Sequence, residues 1–319
     1  MEKLMKTNKF NFGTFFSKWA IYIVFAVMFA LSAIMSENFL TLQNLVNVLR
    51  QTAPVMIIAC GETMVIIAGM TDLAPGAVLA LAGCVGIGVT AGTGNVFLGV
   101  LVAISIGALC GLISGIAVSR FRVPPFIATL AVMNMARGAA FVYTDGKTLY
   151  DIGDFAFFGQ GSILGIPAPI VFMAVIVAIS YVLLKHTKFG RYLYAVGGNE
   201  EAAVASGINT KKVKLTAYLF LGVLSGFAGV VFCSRLNSGI PSSGANYEFD
   251  AIISAIIGGT SFSGGIGTIG GTVIGCMIIA LLNNMLNLLS VQSYWQLIVK
   301  GMVIMLAVVI DMSKKSSKL

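Results

Sequence analysis

The sequence predicts an all-α polytopic membrane protein with about ten transmembrane helices, glycine-broken segments among them, and both termini in the cytoplasm. Three observations predict it. Of 319 residues, 58% are apolar and 10% are charged, against about 25% charged in a soluble domain. Apolar runs long enough to span a bilayer recur along the whole chain. Glycine, at 37 residues, is concentrated inside those runs. This composition excludes an ordinary water-soluble enzyme, and it excludes disorder, because too much apolar surface would stay solvated. Ten spans of roughly 20 residues use about 200 residues, so little chain remains for a domain outside the bilayer.

Residues 1–18 form a cytoplasmic N-terminal segment. They set Phe10, Phe12, Phe15 and Phe16 beside Lys3, Lys6, Lys9 and Lys18, either as an amphipathic stretch along the membrane surface or as an unstructured tail. A transmembrane domain follows over 19–311, with spans at 19–35, 51–70, 73–91, 96–118, 124–143, 168–185, 213–233, 249–262, 269–289 and 294–311. The first run is longer than a signal-peptide core and lacks a small-residue cleavage site, so it is an uncleaved span. The eighth is short and broken by glycine. Residues 312–319 form a basic cytoplasmic tail.

Lysine and arginine set the orientation. The N-terminus, Arg120 with Arg122, the loop 185–214 and the tail are basic and belong inside; 144–160, with Asp145, Asp151 and Asp154 against Lys147, belongs outside. Even numbers of spans separate the four basic anchors, as four cytoplasmic anchors require. The net charge of +8 therefore reflects topology, and no basic stripe with interleaved aromatics points to nucleic acid. Cys60, Cys84, Cys110, Cys233 and Cys276 lie in apolar stretches without CxxC spacing and read as packed free thiols. His186 is the single histidine, so the sequence gives no basis for a His-based metal site, and no cofactor is expected.

Gly107, Gly111 and Gly115, and Gly222, Gly226 and Gly229, fit close helix packing in lipid. Two segments go further: IIAGMTDLAPGAVLALAG at 66–83 and AIIGGTSFSGGIGTIGGTVIG at 255–275. Gly69, Thr71 and Gly76 align with Gly258, Thr260 and Gly265 at an offset of 189 residues. With Gly259 and Gly264 they mark helices broken at membrane depth. Irregular backbone there is tolerated only inside protein or along a water-filled cavity, and paired interruptions point to a translocation pathway.

Polar residues inside the runs are Glu62, Asp72, Arg137, Asp250 and Lys300, with Asn134, Asn283, Asn284, Asn287 and Gln296. Asn134 and Arg137 are three apart on one helix; Asn283, Asn284 and Asn287 make a stripe. An amide both donates and accepts, so such a lining suits hydroxyl-rich solutes; interhelical hydrogen bonding is the alternative role. The pathway candidates are Asp72, Asn134, Arg137, Asp250, Asn283, Asn284 and Asn287. There is no GxxxxGK[ST] loop, HExxH or GxSxG, so uphill transport would draw its energy from another subunit.

Within the loop 185–214, Asn199 is an N-cap, Glu200 and Glu201 occupy a first helical turn, and Ala202, Ala203, Val204, Ala205 and Ser206 continue to a stop at Gly207. A two-turn helix is marginal alone in water and needs a docking surface.

GRYLYAVGGNEEAAVASGI, in this loop, resembles the cytoplasmic loop of the ribose-type permeases of ATP-binding-cassette importers. The resemblance extends to NFLTLQNLVNVLRQTAP, VPPFIATLAVMNMARG, YEFDAIISAIIGGTSFSGGIGTIGGTVIG and LLNNMLNLLSVQSYWQLIVKG, in order along nearly the whole chain. It implies a permease that pairs with a second copy or close paralogue, a cytoplasmic ATPase subunit and an extracytoplasmic solute-binding protein. Residues 199–207 would be the coupling helix, and the solute a sugar or related small polar molecule. The first break departs from the family's usual GGIDLSVG: Met70, Thr71, Ala74 and Pro75 replace Gly, Ile, Ser and Val. A self-sufficient secondary transporter using Asp72 and Glu62 is the alternative, and charge introduced at Ala203 or Glu201 should separate the two.

Overall fold

The computed structural model describes residues 12–316, so residues 1–11 of the N-terminal segment and 317–319 of the tail lie outside the described residues. The chain is helical almost throughout. The first half runs α1 (Phe12–Met35), α2 (Leu42–Ile67), α3 (Pro75–Thr93), α4 (Val96–Ser119), α5 (Pro125–Thr144) and the short α6 (Phe157–Gln160). The second half runs α7 (Ala168–His186), α8 (Lys188–Gly198), α9 (Glu200–Ala205), α10 (Thr210–Leu236), α11 (Tyr247–Ile257), α12 (Ile269–Leu288) and α13 (Ser293–Ser316). A two-stranded hairpin, β1 (Ser162–Ile163) with β2 (Ile166–Pro167), precedes α7.

Among the described residues six helices, α3, α4, α5, α7, α10 and α12, are long and apolar enough to cross a membrane. The chain is an all-α, multi-pass membrane protein. The expected span at 249–262 differs: α11 has 11 residues, which at 1.5 Å per residue covers about half of a ~30 Å hydrocarbon core. Its run is cut by the break that begins at Gly258.

Local chemistry sets the helix ends. Thr41, Asn95 and Asn209 cap α2, α4 and α10 by accepting from the amides of Asn44, Leu98 and Lys212. Proline opens α3, α5 and α7 within the first turn, where its missing donor is not needed. Asp145 and Asn237 close α5 and α10 in the left-handed region.

The core is built on α2 and α10. α2 is buried without interruption from Thr52 to Ile67, and α10 packs against α2, α3 and, most extensively, α4. The crossing of α4 and α10 is made by backbone: a Cβ on Gly107 would meet the Gly222 carbonyl, and one on Gly222 would meet the Gly107 carbonyl. Close approach of this kind lets helices associate where lipid gives no hydrophobic drive. All five cysteines are buried and free.

Candidate functional site

Two helix endings organise one end of the bundle. α2 closes on Gly69, whose φ is +77°, with Gly69 N–H donating to Ile66 and Met70 N–H to Val65. α11 closes on Gly259, φ +86°, with Gly259 N–H donating to Ile256 and Thr260 N–H to Ala255. Both are the same 5→2 and 6→1 motif. The likeness foreseen between the two segments is present, but its register is corrected by one residue. Gly69 matches Gly259, whereas Gly258 has φ −64° and belongs to the right-handed end of α11. Gly76 is likewise not in the break. It lies in the first turn of α3, against the Gly244 carbonyl and the Glu248 carboxylate.

The breaks meet each other and α8. Gly265 N–H donates to the Ile67 carbonyl at 2.8 Å. Gly197 and Gly198 pack backbone to backbone on Gly264 and Gly265, and the Tyr194 hydroxyl donates to Gly267 O at 2.7 Å. Within the bilayer-depth helices, Thr63 and Thr272 join α2 to α12 through their hydroxyls at 2.6 Å. From α8 the chain passes directly into α9. Asn199 Oδ1 caps it by accepting from Ala202 N–H at 2.9 Å, and Gly207, φ +80°, ends it. Ala203 faces inward and is 4% exposed, while Glu201, Ala202, Val204, Ala205 and Ser206 face out. Glu200 pairs with Lys214 at the start of α10, 2.7 Å apart.

Asp72 lies in the first break, buried, with Oδ1 accepting from Ala74 N–H at 2.8 Å; its own N–H donates to Glu62 at 3.1 Å. Both carboxyl groups are thus engaged in holding backbone, and the Tyr218 hydroxyl adds a bond to Thr71 O. Arg137 reaches across from α5 and donates to the carbonyls of Pro241 and Ser243 at 2.7 and 2.6 Å. It satisfies the irregular stretch between α10 and α11, which dips beside Gly76 and α3. Asn134 is exposed on α5 and bonds its own Leu130 carbonyl. Asp72, Asn134 and Arg137 are not among the residues that line the polar cavity formed by the other pathway candidates.

Those others do come together. A polar cavity of about 250 Å³, space for about eight waters, opens between the first half of α2, the end of α10, the start of α11, α12 and α13, away from the α8 end. Asp250, Asn283, Asn284 and Asn287 line it, with Gln51, Arg235, Gln296 and Lys300 among its other polar groups. Lys300 pairs with Asp250 at 3.0 Å. Asn44 and Asn284 exchange amide hydrogen bonds of 3.1 and 2.9 Å. Asn283 Oδ1 is buried without a partner, an acceptor open to a hydroxyl. Pro54 lies inside α2 and leaves the Arg50 carbonyl without its usual helical donor. Arg50, Arg235 and Gln51 escaped the sequence reading. The signal for the arginines was their place near the ends of apolar runs, away from the basic loops.

Membrane-crossing helices, an amide-lined cavity and two helices broken at glycine are features that solute pathways use. The chain belongs to the family of branched-chain amino acid transport system permease components, whose model matches residues 44–308. It is 42% identical to the ribose import permease of Haemophilus influenzae, covering 96% of each chain, and 42% identical to that of Bacillus subtilis, covering 97% of each. The D-allose transport permease of Escherichia coli is 38% identical over 95% of this chain and 94% of its own. No solved structure matches the chain.

Proposed function

We propose that this chain is the permease subunit of an ATP-driven importer for a sugar or related small polar solute. The observation that carries the reading is its similarity, over nearly its whole length, to ribose import permeases. The amide-lined cavity agrees, because amides and hydroxyls exchange donors and acceptors in both directions.

In this reading the protein lies in the bacterial inner membrane with both termini cytoplasmic, α11 being a half-length member of a ten-segment bundle. The outward face of α9, from the Asn199 cap to Gly207, seats in a groove of the ATPase subunit. Movement of α9 then passes through α8 to the two breaks, since Gly197, Gly198 and Tyr194 rest on them. A solute-binding protein delivers to the cavity end. The solute path includes Asp250, Asn283, Asn284 and Asn287. A second copy or close paralogue covers the exposed face of α5, which removes Asn134 from lipid. Asp72 and Arg137 act on the path by holding the backbone that frames it.

The test is a pull-down of the tagged protein from its native membrane in mild detergent. Co-purification of an ATP-binding-cassette subunit with ATPase activity supports the reading. Recovery of the chain alone, with cross-linking from α9 also negative, would move a secondary transporter using Asp72 and Glu62 to the front.

A further inference from the structure

A second cavity of about 370 Å³ adjoins the first, and Gln51 and Arg235 line both, so they stand where the two meet. Partners decide which polar groups around the first cavity remain free for a solute. Asp250 and Lys300 pair with each other. Asn284 exchanges hydrogen bonds with Asn44, and Asn287 accepts from Gln296. The Thr52 hydroxyl is spent on Val48 O, within its own helix. Gln51 differs: it is exposed and makes no side-chain hydrogen bond among the described residues. Arg235 is half-buried and enters no ion pair among the described residues. Its guanidinium lies 5.6 Å from the Phe232 ring and beside Tyr247, and those two rings meet edge-on at 5.2 Å. The aromatic contacts orient the guanidinium without using up its donors.

A polar cavity of this size holds water, which solvates a half-buried guanidinium, so the charge of Arg235 calls for no counter-ion. A solute that displaces ordered water has to reproduce its hydrogen bonds. Neutral hydroxyls do so: the planar fork of one guanidinium sets N–H donors side by side, a spacing that suits the oxygens on adjacent ring carbons of a sugar. The Gln51 amide both donates and accepts, and can take a further hydroxyl. We infer that Gln51 and Arg235 determine specificity for a neutral sugar at the junction of the two cavities, with the Arg235 fork donating to two adjacent hydroxyls. Asp250, Asn284 and Asn287, satisfied by Lys300, Asn44 and Gln296, hold the wall beside them. The inference rests on the reading of the cavity as part of the solute path, and it adds which groups on that path discriminate among solutes.

The full-length protein in lipid nanodiscs is titrated with D-ribose and with its 2-deoxy and 3-deoxy analogues, with binding followed by saturation-transfer NMR. Every adjacent pair of ring hydroxyls in ribopyranose includes the one on C2 or the one on C3. At least one analogue should therefore bind about tenfold more weakly than ribose to the wild type. Arg235→Met should weaken ribose by about the same factor and bring the three ligands level. Arg235→Lys should also level them, because an ammonium keeps the charge but lacks the fork. Gln51→Leu should weaken all three; unchanged melting temperatures confirm folding in each variant. Equal binding of ribose and both analogues to the wild type overturns the inference, as does a ribose preference that survives at full size in Arg235→Lys or Arg235→Met. Failure of ribose to bind the folded wild type overturns it too. None of these outcomes touches the permease reading, which stands or falls on the pull-down.

Discussion

The amide of Gly265 donates to the carbonyl of Ile67 at 2.8 Å, so one broken helix supplies the hydrogen-bond partner for the end of the other. The bond ties two segments far apart in sequence at the point where α8 arrives. A carbonyl at a helix end needs a donor from outside the helix, and here it comes from the matching break.

The contact that brings α8 onto this junction is the Tyr194 hydroxyl on Gly267 O. Tyr194→Phe removes one hydrogen bond, about 1 kcal/mol, and leaves the ring. Under the importer reading, solute moved per ATP hydrolysed should fall in proteoliposomes while membrane abundance stays normal. An unaltered ratio would reduce Tyr194 to a packing residue.

The two faces of α9 predict opposite phenotypes. Val204 is 55% exposed and Ala203 is 4% exposed. Val204→Arg and Glu201→Lys should leave folding intact and abolish ATPase-coupled uptake. Ala203→Arg, expected from the sequence to separate importer from secondary transporter, should instead lower membrane abundance, because Ala203 is buried and the charge enters the bundle. Western blotting and uptake in the same cells separate the two effects, and normal uptake in Val204→Arg would argue against docking through this face.

At the α4–α10 crossing, a Cβ on Gly222 would lie 2.8 Å from the Gly111 Cα. Gly222→Ala should cost about 1–3 kcal/mol through overpacking and lower the melting temperature in detergent. Gly92→Ala, in α3, is the control, since nothing lies within 4 Å of that position. A wild-type midpoint for Gly222→Ala would mean that the helices can separate freely.

Arg137 holds two carbonyls with one side-chain nitrogen. Arg137→Met leaves both without their donor and should destabilise by about 2 kcal/mol or more. Limited proteolysis or hydrogen exchange across 238–246 should report the loosening first. Equal protection in mutant and wild type would refute the bracing role.

Much of this was legible in the sequence. Hydropathy marks the six helices that are long and apolar enough to cross a membrane, and the Asn199 cap, the acidic first turn and Gly207 define α9. α8 was missed because its charges read as loop, although Gly190, Leu193 and Val196 make a buried stripe at three-residue spacing behind a Thr187 cap. Asn134 and Arg137 share a helix face by spacing, yet that arc straddles the boundary between buried and exposed sides, which only neighbours define. The repeat register slipped by one because Gly258 and Gly259 are the same letter, and only φ tells which one turns. Arg137 and the dipping stretch it braces are a long-range pair that no local pattern reveals.

All five native thiols are enclosed by packing. The unmodified chain is thus a silent background for maleimide or spin labels on the described residues, so a single cysteine placed at Val204 or Ala205 would report from the surface of α9 without first stripping the protein of its own.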